Sequence, residues 1–195
     1  LYVSANLFFA LAASLFAANE NLAWGVALTG NLLVNISVLA GLFVYFRQRH
    51  VEFRTVLGLD PQARSGGWTA GLIFFFAMIP PLVIVNFGSA ALCTALEVAP
   101  SPQPVVELMS LTRSPLLIIL ITTIAVAVAP VAEEVLFRGF AYPALKQRYG
   151  KWRGLVIVSL LFAVVHFHTP SVLPLFALGM AFGLAYELTR SEEHT

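Results

Sequence analysis

Long apolar runs separated by short polar segments dominate this sequence. Six runs reach or approach the ~17–25 residues that a helix needs to cross a bilayer. They lie at 1–18, 24–46, 68–96, 115–145, 154–168 and 172–189. Because a backbone in lipid must satisfy its hydrogen bonds within its own segment, the runs predict an all-α polytopic transmembrane bundle of about six helices. Pro130 interrupts the fourth run and predicts a kink there.

The composition supports lipid as the solvent of this chain. Of its 195 residues, 59% are hydrophobic and 11% are charged, and the mean hydropathy is +0.86. Soluble domains carry about 25% charged residues. The net charge of +1 says little, because the distribution of the charges matters more than their sum. We expect membrane lipid as a partner and no nucleic acid. A single cysteine, Cys93, excludes an intramolecular disulfide.

Basic residues concentrate in two of the predicted loops. The loops contain Arg47, Arg49, Arg54 and Arg64, and then Lys146, Arg148, Lys151 and Arg153. The alternate loops contain Arg113 alone. The positive-inside rule therefore predicts that segments 47–64 and 146–153 are cytoplasmic. We expect a multi-pass protein of a bacterial inner membrane.

Three charged side chains interrupt the fourth apolar run, in the stretch APVAEEVLFRGF. Each charge costs ~2.5–3.5 kcal/mol at the centre of a spanning helix, so such residues usually serve a function. Glu134 and Arg138 are four residues apart, which predicts an ion pair on one helix face. Glu133 is then the carboxylate available for chemistry. The alternative is a buried charge cluster that only locks helices together.

His166 is predicted to lie at the same depth as Glu133. Glu133 precedes Lys146 by 13 residues and His166 follows Gly154 by 12, or ~20 and ~18 Å of helix. A carboxylate and an imidazole that meet there would activate a water for attack on a carbonyl. The two groups would also supply the first two ligands of a metal site. Catalytic zinc usually takes three protein ligands, so whether Glu133 and His166 bind a divalent metal such as zinc stays open. His168 is expected at the membrane interface.

The segments EEVLFRG and FAVVH together resemble the CPBP family (CAAX protease and bacteriocin-processing, or Abi) of intramembrane proteases. The family's Glu-Glu-x-x-x-Arg motif matches Glu133, Glu134 and Arg138, and its Phe-x-x-x-His motif matches Phe162 and His166. The resemblance extends over about residues 114–191. It implies that Glu133 and His166 are catalytic and that Glu134, Arg138 and Phe162 support them.

The sequence departs from the family at a third motif, a histidine followed four residues later by asparagine on a later helix. His194 lies in a polar tail and does not match it. We expect transmembrane helices with an external loop at 1–113, an incomplete protease core at 114–191 and a non-native tail at 190–195. At least one further C-terminal helix is then missing, and the chain alone would be inactive.

The resemblance implies an intramembrane endopeptidase that cleaves membrane-associated peptides or CAAX-like protein tails. Two other functions stay open. One is a non-catalytic immunity or scaffold protein that binds a peptide or a partner enzyme. The other is a proton-coupled carrier with Glu133 and His166 as a relay, which predicts an internal repeat that the sequence does not show. Gly179 and Gly183 have the small-xxx-small spacing of helix packing.

Overall fold

The computed structural model describes residues 20–52, 67–98, 106, 109–110, 112–166 and 168–190. Within these ranges the regular structure is entirely helical, as the sequence predicts. The long helices of these ranges are α1 (Glu20–Gln48), α2 (Gly67–Ala95), α3 (Pro115–Tyr149), α4 (Lys151–Val164) and α5 (Val172–Arg190). A 3-10 turn, Thr169–Ser171, precedes α5.

Four segments of the described chain are long and apolar enough to cross a bilayer. They are Leu28–Gln48, Gly71–Ala95, Pro115–Tyr149 and Thr169–Glu187. The predicted run at 154–168 forms α4, whose 14 residues extend ~21 Å, less than the ~30 Å of a hydrocarbon core. The predicted run at 1–18 lies outside the described residues, so the number of six helices stays a prediction.

Helix α3 alternates between α-helical and π-helical segments. Its α-helical segments are Pro115–Thr123, Ala129–Glu134 and Tyr142–Tyr149, and its π-helical segments are Ile124–Val128 and Val135–Ala141. Pro130 has no N–H and its ring clashes with the carbonyl four residues back. The first π-helical segment lies directly before it, and the Ala129 N–H donates to the Ile124 carbonyl, five residues back. The disturbance expected at Pro130 therefore includes a widened turn.

The chain divides into two compact units, the first of which contains 1–49 and 102–136. In this unit, α1 packs against the Ile124–Glu134 part of α3. Leu28, Ile121 and Ile124 are buried together there. Asn35 lies two helical turns beyond Leu28 and is completely buried, and its Nδ2 donates to the Asn31 carbonyl at 2.8 Å. This part of α1 therefore buries an amide as well as hydrocarbon.

The second unit contains 50–101 and 137–195. In it, α4 packs against α5 and against the last segment of α3, and α5 also packs against α2. The chain reverses between α3 and α4 at one residue, Gly150, with φ 81° and ψ 170°, a conformation that is essentially restricted to glycine. The predicted loop at 146–153 is therefore a tight helical corner, with its basic residues on the helix ends.

Glycines let the helices of the second unit approach closely. A Cβ on Gly154 would lie 2.9 Å from the Lys146 backbone nitrogen, so α3 and α4 meet almost backbone to backbone. A Cβ on Gly179 would lie 3.1 Å from Ser159 Cα, and one on Gly183 would collide with the Leu155 side chain. The small-residue spacing in α5 thus serves helix packing, as its sequence pattern indicates.

Candidate active site

Arg138 is a buried cation that contacts two aromatic rings. It lies in the π-helical segment Val135–Ala141, and only 6% of its surface is exposed. Its guanidinium carbon is 5.4 Å from the centre of the Phe162 ring and 4.9 Å from that of Phe182. A cation on the face of an aromatic ring is stabilised by ~2 kcal/mol when desolvated.

Phe162 connects this cation to the predicted catalytic histidine. It is buried on α4, and its ring makes an edge contact with the Phe137 ring at 5.2 Å between centres. It makes a second edge contact with the His166 ring at 4.9 Å. The two residues of the Phe-x-x-x-His motif therefore contact one another and Arg138 through a single side chain.

The backbone fixes the tautomer of His166. Helix α4 ends at Val164, and His166 follows in a turn with its side chain almost fully buried. Its Nδ1 lies 2.6 Å from the Phe162 carbonyl oxygen. Because a carbonyl oxygen only accepts, Nδ1 must carry the proton, and the lone pair of the neutral ring is on Nε2. The turn thus presents Nε2 as a hydrogen-bond acceptor or base.

The two predicted carboxylates lie in the first unit, at the end of the α-helical segment Ala129–Glu134. Glu133 is partly buried and Glu134 is exposed. The next residues of α3 are π-helical, and π-helical hydrogen bonds join residues five apart. The four-residue spacing of Glu134 and Arg138 therefore does not by itself place the two side chains on one helix face. The structure brings together Arg138, Phe162 and His166. The Glu134–Arg138 pair and the approach of Glu133 to His166 stay predictions.

The sequence also raised a metal site on Glu133 and His166. Across the described ranges, no group of three or more His, Cys, Asp and Glu side chains is placed to hold a metal ion. His168, the neighbouring imidazole, has its Nδ1 2.7 Å from the Ser171 hydroxyl, within the turn before α5. The described donors do not form the three-ligand set that catalytic zinc prefers.

A buried carboxylate that the sequence analysis missed holds the corner between α3 and α4. Glu187 on α5 is 6% exposed; it accepts a hydrogen bond from the Tyr142 hydroxyl at 2.9 Å and one from Lys146 Nζ at 2.5 Å. Lys151 Nζ is 3.2 Å from its other oxygen. The sequence does contain a signal for this residue. It is a lone glutamate near the end of an apolar run, on the predicted cytoplasmic side, where Lys146 and Lys151 also lie.

Phe182 was also missed, and no sequence signal distinguishes it. It is one of sixteen phenylalanines and lies in an apolar helix where an aromatic residue is expected to face lipid or the core. Its contact with Arg138 arises from how α5 packs, which the pattern of apolar positions does not specify.

Comparison with known proteins identifies a similar family for part of the chain. Residues 115–192, which are 78 of the 195 residues, match the family model described as type II CAAX prenyl endopeptidase Rce1-like. The matched segment contains the Glu-Glu-x-x-x-Arg and Phe-x-x-x-His motifs in full. No curated protein and no solved structure matches the chain. The resemblance that the two motifs suggested is confirmed: residues 115–192 are similar to the Rce1-like group of CAAX prenyl endopeptidases, a family of membrane proteases.

Proposed function

We propose that this protein is an intramembrane endopeptidase that hydrolyses a peptide bond with a water activated by Glu133 and His166. The observation that carries the proposal is the buried contact of His166 with Phe162 and, through it, with Arg138. A histidine with a fixed tautomer and a buried cation that contact the same ring are a costly arrangement for packing alone. The family match over the same residues supports proteolysis as its purpose.

Chain geometry supports a meeting of Glu133 with His166. Seventeen residues separate Glu133 from the reversal at Gly150, and sixteen separate Gly150 from His166. The two separations differ by one residue, or ~1.5 Å of helix. We infer that the carboxylate and Nε2 approach the same water molecule at a common depth in the bilayer.

In the proposed reaction, the water oxygen attacks the carbon of the scissile carbonyl while Glu133 accepts one of the water protons. His166 Nε2 accepts a hydrogen bond from the other water hydrogen and orients the nucleophile. Glu133 then returns its proton to the leaving amide nitrogen as the C–N bond breaks. The products are a carboxylic acid and an amine, and Glu133 ends the cycle ionised.

We assign to Arg138 a supporting role toward the Glu133–Glu134 pair, with Glu134 as its expected ion-pair partner. A guanidinium and a carboxylate that pair in this way fix each other's position. Phe162 fixes the orientation of both Arg138 and His166.

The proposed substrates are membrane-associated peptides or CAAX-like protein tails that reach the site from the cytoplasmic side. Four exposed basic residues lie near Gly150: Lys146, Arg148, Lys151 and Arg153. By the positive-inside rule they favour a cytoplasmic location for this corner. We place the protein in a bacterial inner membrane. An anionic leaflet surface would attract the same corner.

The test is cleavage of fluorogenic CAAX-like peptides, with and without a prenyl group, by purified protein in proteoliposomes. The wild-type protein gives the reference rate. Glu133→Gln keeps the size of the side chain and removes its ability to accept the proton. General acid–base catalysis is worth ~10²–10⁴-fold, so the rate should fall by at least 100-fold.

Matched controls use the same substitutions away from the site. Glu52→Gln changes an exposed carboxylate, and His50→Asn changes an exposed histidine at φ 57°, where asparagine is well tolerated. Both should cleave like the wild-type protein, whereas His166→Asn should lose activity. If Glu133→Gln folds and cleaves at the wild-type rate, the proposed mechanism is wrong. If such a variant still binds the peptide while the wild-type protein cleaves nothing, a scaffold function is favoured.

A further inference from the structure

We propose that Phe182 is a positioning residue of the active site, which holds Arg138 in place from α5. The inference rests on the proposed function and adds a residue outside the two sequence motifs. The contact that carries it is the 4.9 Å separation between the Arg138 guanidinium carbon and the centre of the Phe182 ring. This is the shorter of the two ring contacts described for Arg138.

The two rings come from different helices. Phe162 lies on α4 and Phe182 lies on α5, so the guanidinium is held by the packing of α5 as well as by that of α4. Two ring contacts from different helices restrict the position of the guanidinium more than one contact would.

Phe182 is poorly suited to a purely structural role. Its side chain is 38% exposed, whereas Phe162 is 5% exposed. Truncation of an exposed ring removes little buried hydrocarbon and leaves no closed cavity, so its cost to stability is smaller than that of a core phenylalanine. What the ring does contribute is its face to a buried cation, which an aliphatic side chain does not replace.

The close packing of α5 on α4 explains why the ring reaches Arg138. Gly183, the next residue, lies so close to Leu155 that a Cβ there would overlap it. One helical turn earlier, a Cβ on Gly179 would be 3.1 Å from Ser159 Cα. The glycines therefore set the height and separation of α5, and Phe182 lies beside this contact on the same helix.

The first experiment compares variants of Phe182 in the peptide-cleavage assay. Phe182→Leu keeps an apolar side chain without a π face, and we expect kcat to fall about tenfold with KM changed by less than about twofold. Phe182→Tyr and Phe182→Trp keep the π face and should stay within about threefold of the wild-type kcat. Phe176→Leu, six residues earlier on α5, is the matched control and should leave kcat unchanged.

The inference is overturned if Phe182→Leu behaves like Phe176→Leu, or if the tyrosine and tryptophan variants lose as much activity as the leucine variant. The second outcome would mean that shape, rather than the ring face, is what matters. A rise in KM without a fall in kcat would place Phe182 in substrate binding and also overturn the positioning role.

A second measurement does not depend on activity. Phenylalanines with successively more ring fluorines at position 182 keep the shape of the ring but withdraw electron density from its face. The unfolding midpoint in detergent should fall stepwise with each fluorine, and the same series at position 176 should be flat. A flat series at 182 overturns the inference even where cleavage is observed. If the wild-type protein shows no Glu133-dependent cleavage but the series at 182 declines, the proposed function fails and the Arg138 contact stands.

Discussion

Gly154→Ala tests the corner between α3, which contains the Glu-Glu-x-x-x-Arg motif, and α4, which precedes His166. The added methyl group would lie 2.9 Å from the Lys146 nitrogen, 3.1 Å from the Leu145 carbonyl carbon and 3.1 Å from Lys146 Cα. All three are backbone atoms, which cannot rotate away as the end of a side chain can. The substitution should therefore force α3 and α4 apart.

The size of the effect follows from two opposing contributions. Overpacking costs ~1–3 kcal/mol, and backbone neighbours place Gly154→Ala at the upper end of that range. Alanine is favoured over glycine within a helix by ~1 kcal/mol. The net loss of unfolding free energy should be ~2 kcal/mol, which lowers the melting temperature by ~4–8 °C for a chain of this size.

Two matched glycines separate the causes. Gly71 has no atom within 4 Å of an added Cβ, so Gly71→Ala should be neutral or slightly stabilising. Gly150 also has open space but its φ is 81°, so Gly150→Ala should cost ~1–3 kcal/mol through backbone strain alone. Thermal unfolding in detergent micelles measures all three. Equal midpoints for Gly154→Ala and Gly71→Ala would refute the close approach of α3 and α4.

Three further outcomes are expected from the same unfolding and cleavage assays. Glu187→Gln should lower the unfolding free energy by ~2 kcal/mol, since it weakens a charge-assisted bond from Tyr142 and two contacts with half-exposed lysines. A loss below ~0.5 kcal/mol, which is usual for a surface substitution, would contradict the cluster around Glu187. Phe162→Leu should reduce cleavage more than Phe137→Leu, because only the former ring contacts both Arg138 and His166; the reverse order would contradict that role. Gly183→Ala should be partly rescued by Leu155→Ala, which removes the group it collides with; additive losses would show that the two residues do not meet.

The apolar runs of the sequence predicted the helices well, because each long run must form one hydrogen-bonded segment in lipid. The run around Pro130 was predicted as a helix with a disturbance, and the structure has a π-helical segment there. The sequence did not predict the second π-helical segment, which contains Arg138, although Pro143 follows it at the same spacing as Pro130 follows the first. Periodicity carries no information on such a change of hydrogen-bond register.

Motif spacing located Arg138, Phe162 and His166, and the structure places these three together. It could not locate Phe182 or Glu187, because both act through tertiary packing between α5 and earlier helices. Glu187 differs from Phe182 in that its burial was foreseeable. A lone acid in an apolar run needs a cation, and the lysines at the corner were the nearest candidates.

The meeting of Glu133 with His166 is the central claim of the proposed mechanism, and thiol cross-linking measures it most directly. Glu133→Cys and His166→Cys are combined in a Cys93→Ser background, which removes the chain's own thiol, and treated in membranes with a short bifunctional thiol reagent. The control replaces the second site by Val164→Cys, an exposed position two residues earlier. We predict efficient cross-linking of the 133–166 pair and little of the 133–164 pair; no cross-link at 133–166, or equal yields for both pairs, would contradict the account.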